Sequence, residues 1–260
     1  MECKLSAACL CNIGRVRGNN EDNFYFDGRT LPLNHVSLDK PLLQEVNTNP
    51  FAAFGVFDGM GGEQNGEVAS FVAAETFKDK CKWLREYVVS PQEFLAEAST
   101  AMNDAVAAEA KKVSGRVGTT SVILCFSDNE VYCGNVGDSR AYRFHKSALF
   151  QFSTDHNDAK FLREHGITGR KPRLTQYIGL DPEEMMIEPS YTKEKLQVGD
   201  RYLLCSDGLT DMLDNLSICS ILKNSDTVQQ GVEMLMDAAL ENGGRDNTTI
   251  ILIEVEEVRA

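Results

Sequence analysis

Apolar residues recur along the chain in runs and alternations of strand length, and these predict most of the β-structure. A short apolar run bounded by turn residues is typical of a buried strand. Residues 30–50 differ, because they hold three of the seven prolines and show no clean period, so we expect a surface insertion or loop there. The predicted strands are KLSAACLCNI (4–13), FYFD (24–27), FAAFGVF (51–57), SVILCF (121–126), EVYCGNV (130–136), AYRFH (141–145), ALFQFS (148–153), RYLLCS (201–206) and TTIILIEVEEV (248–258).

Helical spacing of apolar residues predicts two long helices in the first half of the chain. The first extends from about residue 66 to residue 87. The second begins with a capping box, in which Ser90 is the N-cap, Pro91 takes the first helical position and Glu93 lies three residues after the cap. Its buried face is predicted to consist of Phe94, Ala98, Met102 and Val106. Further helices are predicted near 160–165, over 209–222 and over 227–241.

The order of these elements indicates the fold class. Paired helices, an antiparallel meander over 121–153, more helices and a closing strand do not form an alternating βαβ chain. The order favours the α+β class, with helices packed outside antiparallel sheets. A chain of 260 residues can bury one good core, and its length allows one large domain or two small ones, of which we expect a single domain over 1–260.

The composition argues against several classes of function. A formal net charge of −13 without any basic block argues against nucleic-acid binding. No apolar run approaches the ~18 residues of a membrane span, and the N-terminus has no long apolar signal region. The eight cysteines lie mostly in apolar runs, which is typical of free thiols in a reducing compartment, so we expect a cytoplasmic protein. Cys9 and Cys11 lack the spacing of a zinc site.

Carboxylates beside small residues follow several of the predicted strands. Any one Asp-Gly pair has an ordinary explanation as a turn, but the pattern recurs in one chain. Several buried carboxylates repel one another unless divalent cations lie among them, and oxygen ligands suit Mg²⁺ or Mn²⁺. A glycine next to an aspartate also lets a backbone carbonyl approach a metal ion. The residues that show the pattern are Glu21, Asp22, Asp58-Gly59, Asp138-Ser139, Asp207-Gly208 and Asp246-Asn247.

Seven sequence blocks, distributed over nearly the whole chain, carry a family resemblance. They are GRVRGNNED (14–22), VFDGMGG (56–62), GTTSV (118–122), GNVGDSRAYR (134–143), TDH (154–156), LLCSDGLTD (203–211) and GRDNTTIILI (244–253). In this order and at this spacing they resemble the PPM, or PP2C-type, metal-dependent protein serine/threonine phosphatases, and more closely the bacterial members. The resemblance implies two packed antiparallel β-sheets flanked by helix pairs on both outer faces.

The resemblance also implies a ligand set for two metal ions, Mn²⁺ or Mg²⁺. Asp58 would bridge the two ions, and the backbone carbonyl of Gly59 would bind one of them. Asp207 and Asp246 would complete the ligands of the other ion. Two such cations lower the pKa of a shared water molecule and screen the charge of a phosphate ester.

Four further residues receive roles from the same resemblance. Glu21 and Asp22 would act on the ions through water or from outside the direct ligands, and Asp22 is one of the two predicted catalytic residues. Asp138 would help to hold a third, weaker ion. Arg17, the other predicted catalytic residue, would bind the substrate phosphate, for which its planar donor fork is suited.

The implied activity is hydrolysis of phosphoserine and phosphothreonine in proteins. A water or hydroxide bridging the two ions would attack phosphorus in line, with the charge stabilised by the ions and Arg17. The expected partners are phosphorylated substrates of a Ser/Thr kinase, and we expect a monomer without nucleic-acid or membrane partners. A non-catalytic signalling module that binds phosphoproteins with the same fold is the alternative. Hydrolysis of a small phosphorylated metabolite is a weaker third possibility.

Two regions depart from the family pattern. Met60 stands where many eukaryotic relatives have a histidine that is a proposed general acid, so the leaving group here would be protonated by metal-bound water, or its protonation matters less. His156 is interpreted as a structural residue, and Cys205 as a residue that packs within its strand.

The segment at about 157–191 corresponds to the family's mobile flap, and it contains a basic patch that would hold a phosphopeptide or would simply be solvated. The patch consists of Arg170, Lys171 and Arg173.

Overall fold

Twelve strands in the described part of the chain form two antiparallel sheets. The structure is a computed structural model that describes residues 2–61, 65–84, 90–112 and 117–259. The first sheet has the order β3-β1-β12-β11-β8-β9, and the second has the order β10-β7-β6-β4-β2 with β5 paired to β4. The strands are β1 (Glu2–Asn12), β2 (Asp22–Phe26), β3 (Leu42–Asn47), β4 (Ala52–Gly61), β5 (Val117–Thr119), β6 (Ser121–Ser127), β7 (Glu130–Val136), β8 (Arg140–His145), β9 (Ala148–Gln151), β10 (Ser190–Lys195), β11 (Arg201–Cys205) and β12 (Thr248–Arg259).

The helices of the described ranges follow the predicted positions, except that the region predicted as helical over 209–222 is divided into two helices by a break at 211–214. The capping box at Ser90 is present, because the Ser90 side chain accepts from the Glu93 backbone N–H and the Glu93 carboxylate accepts from the Ser90 N–H. The predicted inner face of that helix is fully buried. The predicted end of the first helix near residue 87 lies outside the described residues. The helices are α1 (Gly66–Leu84), α2 (Pro91–Ala110), α3 (Ala159–Glu164), α4 (Asp207–Thr210), α5 (Asn215–Asn224) and α6 (Val228–Glu241).

Three apolar clusters define the layers. The central cluster takes side chains from both sheets, with Leu5 and Ile253 on the first sheet and Phe54 on the second. A second cluster joins the outer face of the second sheet to α1 and α2, and a third joins the outer face of the first sheet to α4, α5 and α6. Burial of these apolar faces is the main stabilising contribution. The predicted α+β sandwich with helices on both outer faces is therefore confirmed.

The prediction of a loop over 30–50 was incomplete. Its last part forms strand β3, which pairs with β1 at an edge of the first sheet. Side chains of β3 alternate between half-buried and exposed, so the edge position left no strong apolar run for the sequence to show. Strand β10 was missed for the same reason, because it is a polar edge strand paired with β7.

The predicted four-strand meander over 121–153 was wrong. Strands β6 and β7 form a hairpin in the second sheet, whereas β8 and β9 form a hairpin in the first. The chain changes sheet between Val136 and Arg140, where Gly137 has a φ of 103° that side-chain-bearing residues rarely adopt. Local patterns predict a hairpin but not the sheet that it joins. Asp138 lies in this connection between the two sheets.

The cysteines and the helices agree with what their sequence patterns predicted. All eight cysteines are free thiols, and seven of them are buried, including Cys205 within β11. None of the helices in the described part of the chain combines the length and apolarity needed to cross a bilayer.

Candidate metal centre

Asp22 and Asp58 lie directly opposite each other on neighbouring strands of the second sheet. The sequence predicted that Asp22 follows the first strand and that Asp58 follows its own strand, and this was wrong. Asp22 is the first residue of β2, and β4 continues through Asp58 to Gly61, where it pairs with β5. The Asp-Gly-Met-Gly segment is therefore strand, and antiparallel pairing places two carboxylates side by side.

Hydrogen bonds to neighbouring threonines hold the backbone at Asp58. Its N–H donates to Thr120 Oγ1 at 3.0 Å, and its carbonyl accepts from the Thr120 N–H at 2.8 Å and from Thr119 Oγ1 at 2.9 Å. Thr120 Oγ1 also lies 2.6 Å from Ser139 Oγ, next to Asp138. The threonines thus connect Asp58 to the chain segment that crosses between the sheets.

Gly59 lies where two backbone segments approach too closely for a side chain. A Cβ atom at this position would come within 2.1 Å of the Gly66 carbonyl oxygen at the start of α1, and within 2.5 Å of the Glu21 carbonyl oxygen. The Gly59 N–H donates to the same Glu21 oxygen at 3.0 Å. The sequence argument that glycine permits close backbone approach therefore applies here, with protein backbone as the immediate neighbour.

The first sheet brings two more carboxylates to the same pocket. Asp207 is the first residue of α4, two residues after the end of β11, and Asp246 lies two residues before β12. Asn247 holds the N-terminal loop beside them, since its amide donates to the carbonyls of Ile13 and Asn19 at 2.9 Å and accepts from the Glu21 N–H at 2.8 Å. A pocket of about 280 Å³ results, lined by Arg17, Glu21, Asp58, Gly59, Met60, Gly61, Thr120, Asp138, Lys171, Pro172, Leu174, Asp207 and Asp246.

Asp22, a predicted catalytic residue, lies opposite Asp58 but does not line the pocket, and only one of its carboxylate oxygens is hydrogen-bonded. Oδ2 accepts from Ser206 Oγ and from Thr249 Oγ1, both at 2.7 Å, whereas the buried Oδ1 has no partner among the described residues. Burial raises the pKa of Asp22 to about 7, although the two hydroxyl donors oppose this change. Asp22 is 1% exposed, so its charge is poorly solvated.

Three carboxyl groups that line the pocket also resist ionisation. Burial, reinforced by the charges of Asp207 and Asp22, raises the pKa of Asp58 well above its usual range. Burial together with Asp207 raises the pKa of Asp138 to about 6, and burial raises the pKa of Glu21. Within the described residues, no basic side chain forms an ion pair with Asp58. The pocket therefore has an excess of negative charge.

Two basic side chains partly offset this charge. Arg17 Nη2 lies 2.7 Å from Asp246 Oδ2, and Lys171 Nζ lies 2.7 Å from Asp207 Oδ2 and 2.8 Å from Asp211 Oδ2. Across the described ranges, no three His, Cys, Asp or Glu side chains stand in an arrangement that could hold a metal ion as they are.

The candidate ligand atoms of the pocket are nevertheless of the type that a hard divalent cation binds. Every candidate ligand is an oxygen, and the carboxylates come from both sheets. The unpartnered Oδ1 of Asp22 and the mutual repulsion of Asp58, Asp207 and Asp138 both indicate missing positive charge. Cations bound here would reverse the cost of collecting these groups.

The remaining residues that the sequence singled out are His156, the basic patch and Met60. His156 accepts from the Gly137 N–H at 3.2 Å through Nδ1, and its Nε2 lies 2.8 Å from Ser190 Oγ. The basic patch is divided, because Arg170 forms an ion pair with Asp158 while Lys171 turns into the pocket. Met60 lines the pocket without any titratable proton.

Sequence reasoning missed four residues that position the site. Ser206 and Thr249 hold Asp22, Asn247 holds the N-terminal loop, and Lys171 contacts two carboxylates. The first three lie within the blocks LLCSDGLTD and GRDNTTIILI. Their hydroxyl and amide side chains are uncharged, so the pattern of acidic residues did not single them out. Lys171 was seen only as part of a surface patch.

Comparisons with known proteins show the family of this chain. A family model described as "Protein phosphatase 2C" matches residues 17–162. The chain belongs to the protein phosphatase 2C family. Members of this family are metal-dependent protein serine/threonine phosphatases, so the predicted enzyme class is confirmed.

Individual relatives extend the match beyond residue 162. The serine/threonine phosphatase stp of Listeria monocytogenes is 28% identical over 250 residues, which cover 93% of this chain and 92% of that protein. PstP of Mycobacterium tuberculosis is 31% identical over 260 residues, which cover 96% of this chain and 45% of PstP, so the chain spans about half of that relative. The catalytic domain of PstP, solved in complex with two manganese ions, has a TM-score of 0.74 and 26% identity, covering 98% of this chain and 100% of that one.

Proposed function

We propose that this phosphatase hydrolyses phosphoserine and phosphothreonine in proteins with two Mn²⁺ or Mg²⁺ ions held by Asp58, the Gly59 carbonyl, Asp207 and Asp246. The observation that supports this proposal is the convergence of these residues from both sheets on one pocket. The manganese complex of the PstP catalytic domain supports the choice of metal. When bound, the ions would supply an acidified water molecule and charge screening for the phosphate.

The protein side chains have the remaining roles in this proposal. Arg17 lies at the pocket rim, 49% exposed, with one amino group on Asp246, so its other N–H groups can bind phosphate oxygens. Asp22 and Glu21 orient water through carboxylate oxygens, and the free Oδ1 of Asp22 is suited to accept such a hydrogen bond. Met60 contributes no proton, so the leaving serine or threonine oxygen takes its proton from water.

The test is hydrolysis of para-nitrophenyl phosphate and of a phosphothreonine peptide. We expect turnover with Mn²⁺ and none with EDTA, and we expect Asp58→Asn to lower kcat by at least about a hundredfold. Asp104→Asn, an exposed change on α2, is the matched control and should leave kcat unchanged. Full activity in EDTA would contradict the proposal.

Two further measurements separate the alternatives. Calorimetry should detect Mn²⁺ binding to the wild-type chain, and binding of a phosphopeptide without turnover would instead favour the non-catalytic signalling module. Competition between the phosphopeptide and small phosphate esters should favour the peptide in kcat/KM. A preference for a small ester would favour hydrolysis of a phosphorylated metabolite.

A further inference from the structure

A second cavity adjoins the acidic pocket on the side of α2. It has a volume of about 490 Å³, and we call it the lateral cavity. Leu174 lines both the acidic pocket and the lateral cavity, so the two are direct neighbours. The apolar lining of the lateral cavity comes from α2, from β5 and from the chain between α3 and β10, and it includes Ala107, Ala110, Val117, Leu174, Leu180 and Met185.

Strand β5 gives the spacing between the two cavities. Thr120, directly after this strand, lines the acidic pocket, whereas Val117, its first residue, lines the lateral cavity. Because a strand advances about 3.3 Å per residue, these two residues lie about 10 Å apart. Val117 also pairs with Gly61, which lines the acidic pocket. An extended peptide spans the same distance in about three residues, and its side chains two residues apart point to the same side.

Hydrogen bonds fix the wall of the lateral cavity beside β5. Thr119 and Ile178 form an isolated antiparallel bridge, in which each backbone N–H donates to the other carbonyl, at 2.9 and 2.8 Å. The buried Asn103 side chain accepts from the N–H groups of Gly179 and Leu180 at 2.8 and 3.0 Å, and donates to the Leu180 carbonyl at 2.9 Å. The lateral cavity is therefore preformed, as ligand sites usually are.

The lining of the lateral cavity favours an apolar occupant. Among the described residues that line it, Lys111 and Asp181 form an ion pair at 3.2 Å, so their charges offset each other. Glu184 is exposed. Met185 has a flexible thioether side chain, which adapts to apolar groups of different shape. A charged side chain bound here would lose water without gaining an unpaired counter-charge of either sign from the ion pair.

We propose that the lateral cavity binds an apolar side chain of the phosphoprotein substrate, two residues from the phosphorylated residue. This inference rests on the proposed phosphatase function and specifies its substrate. With the phosphate in the acidic pocket, an extended substrate passes Leu174 and directs its next side chain on the same face into the lateral cavity. Burial of that side chain supplies binding energy that a small phosphate ester lacks.

The test compares phosphothreonine peptides that differ at one position, with leucine or serine two residues before or two residues after the phosphothreonine. With Mn²⁺, we expect the wild-type chain to favour leucine about tenfold in kcat/KM on one of the two sides, mainly through KM. Equal kcat/KM values for all the peptides would overturn the inference. A wild-type chain that hydrolyses neither the peptides nor para-nitrophenyl phosphate would instead overturn the proposed function.

Two neighbouring methionines provide the variant and its matched control. Met185 lines the lateral cavity and is 42% exposed, whereas Met186 is 76% exposed and is not among the described residues that line it. Met185→Asp should abolish the leucine preference, because it places a charge against the bound side chain, and Met185→Leu should retain it. Met186→Asp adds the same charge outside the cavity and should also retain it. A Met185→Asp chain that is folded by circular dichroism and keeps the full preference would overturn the inference.

Sedimentation equilibrium tests whether a second copy of this chain fills the lateral cavity instead. A wild-type dimer that Met185→Asp dissociates, and that Met186→Asp leaves intact, would overturn the inference. A wild type that stays monomeric while it shows the leucine preference would support it.

Discussion

At the scale of single residues, the site depends on uncharged side chains that hold charged ones. Asp22 has two hydroxyl donors on Oδ2, and one of them, Thr249 Oγ1, also contacts Cys11 Sγ at 3.2 Å. Thr249 is fully buried, so water cannot replace its hydroxyl group. Hydrogen bonds to a buried charge contribute more to stability than those between neutral groups.

Thr249→Val removes this donor while it nearly keeps the volume of the side chain. We expect a loss of about 1–3 kcal/mol in the free energy of unfolding at pH 8, where Asp22 is ionised, and a smaller loss at pH 5. Urea titrations in EDTA at the two pH values measure both losses. Thr249→Ser keeps the hydroxyl group, so any loss from its missing methyl group should not depend on pH. Equal losses for Thr249→Val at both pH values would contradict this role.

At the scale of elements, the site exists because β4 meets the start of α1 and the Glu21 backbone without side chains between them. The two contacts at Gly59 leave no space for a methyl group. Overpacking of this kind is relieved only by backbone movement. Such movement would displace Asp58, the preceding residue of β4, from its place opposite Asp22.

Gly59→Ala should therefore lower both stability and metal affinity. We expect a loss of about 1–3 kcal/mol or more in the free energy of unfolding, together with weaker Mn²⁺ binding. Thermal unfolding and calorimetry are the measurements. Gly18→Ala is the matched control, because a Cβ atom at Gly18 would meet nothing within 4 Å. If the two variants had the same Tm, the close approach at Gly59 would not matter for stability.

At the scale of the whole molecule, the acidic pocket opposes folding when no cation is bound. The folded-state pKa of Asp22 is about 7 and that of Asp138 is about 6, whereas an unperturbed aspartate has a pKa near about 3.9. Each group binds its proton more tightly in the fold, so its stabilising contribution is complete below about pH 4 and is lost as pH rises through the folded-state pKa. Each pH unit between the two pKa values costs about 1.4 kcal/mol per group.

The Tm of the metal-free chain should consequently fall by several degrees when pH is raised from about 5 to about 7.5. Mn²⁺ should raise the Tm, and more at the higher pH, because the ion does not then have to displace protons. Thermal unfolding in EDTA and in Mn²⁺ measures both effects. Asp138→Asn should reduce the fall, since one of the titrating groups is absent. A metal-free Tm that rises over this range would contradict the electrostatic account.

Sequence alone determined most of the helices and strands and the chemistry of the site. Apolar runs such as FAAFGVF and the capping box at Ser90 act through neighbours a few residues away, so a sequence pattern suffices to reveal them. Carboxylates beside glycines indicated oxygen ligands, and the ordered blocks indicated the phosphatase family.

The tertiary structure alone decided which distant residues meet. It placed Asp22 opposite Asp58, joined the polar edge strands β3 and β10 to the two sheets, and turned Lys171 toward Asp207. Strand register and ion pairing between remote segments depend on how the two sheets pack, and no local pattern encodes that packing. The sequence therefore showed which carboxylates the site contains, whereas the fold decided their partners and the balance of their charges.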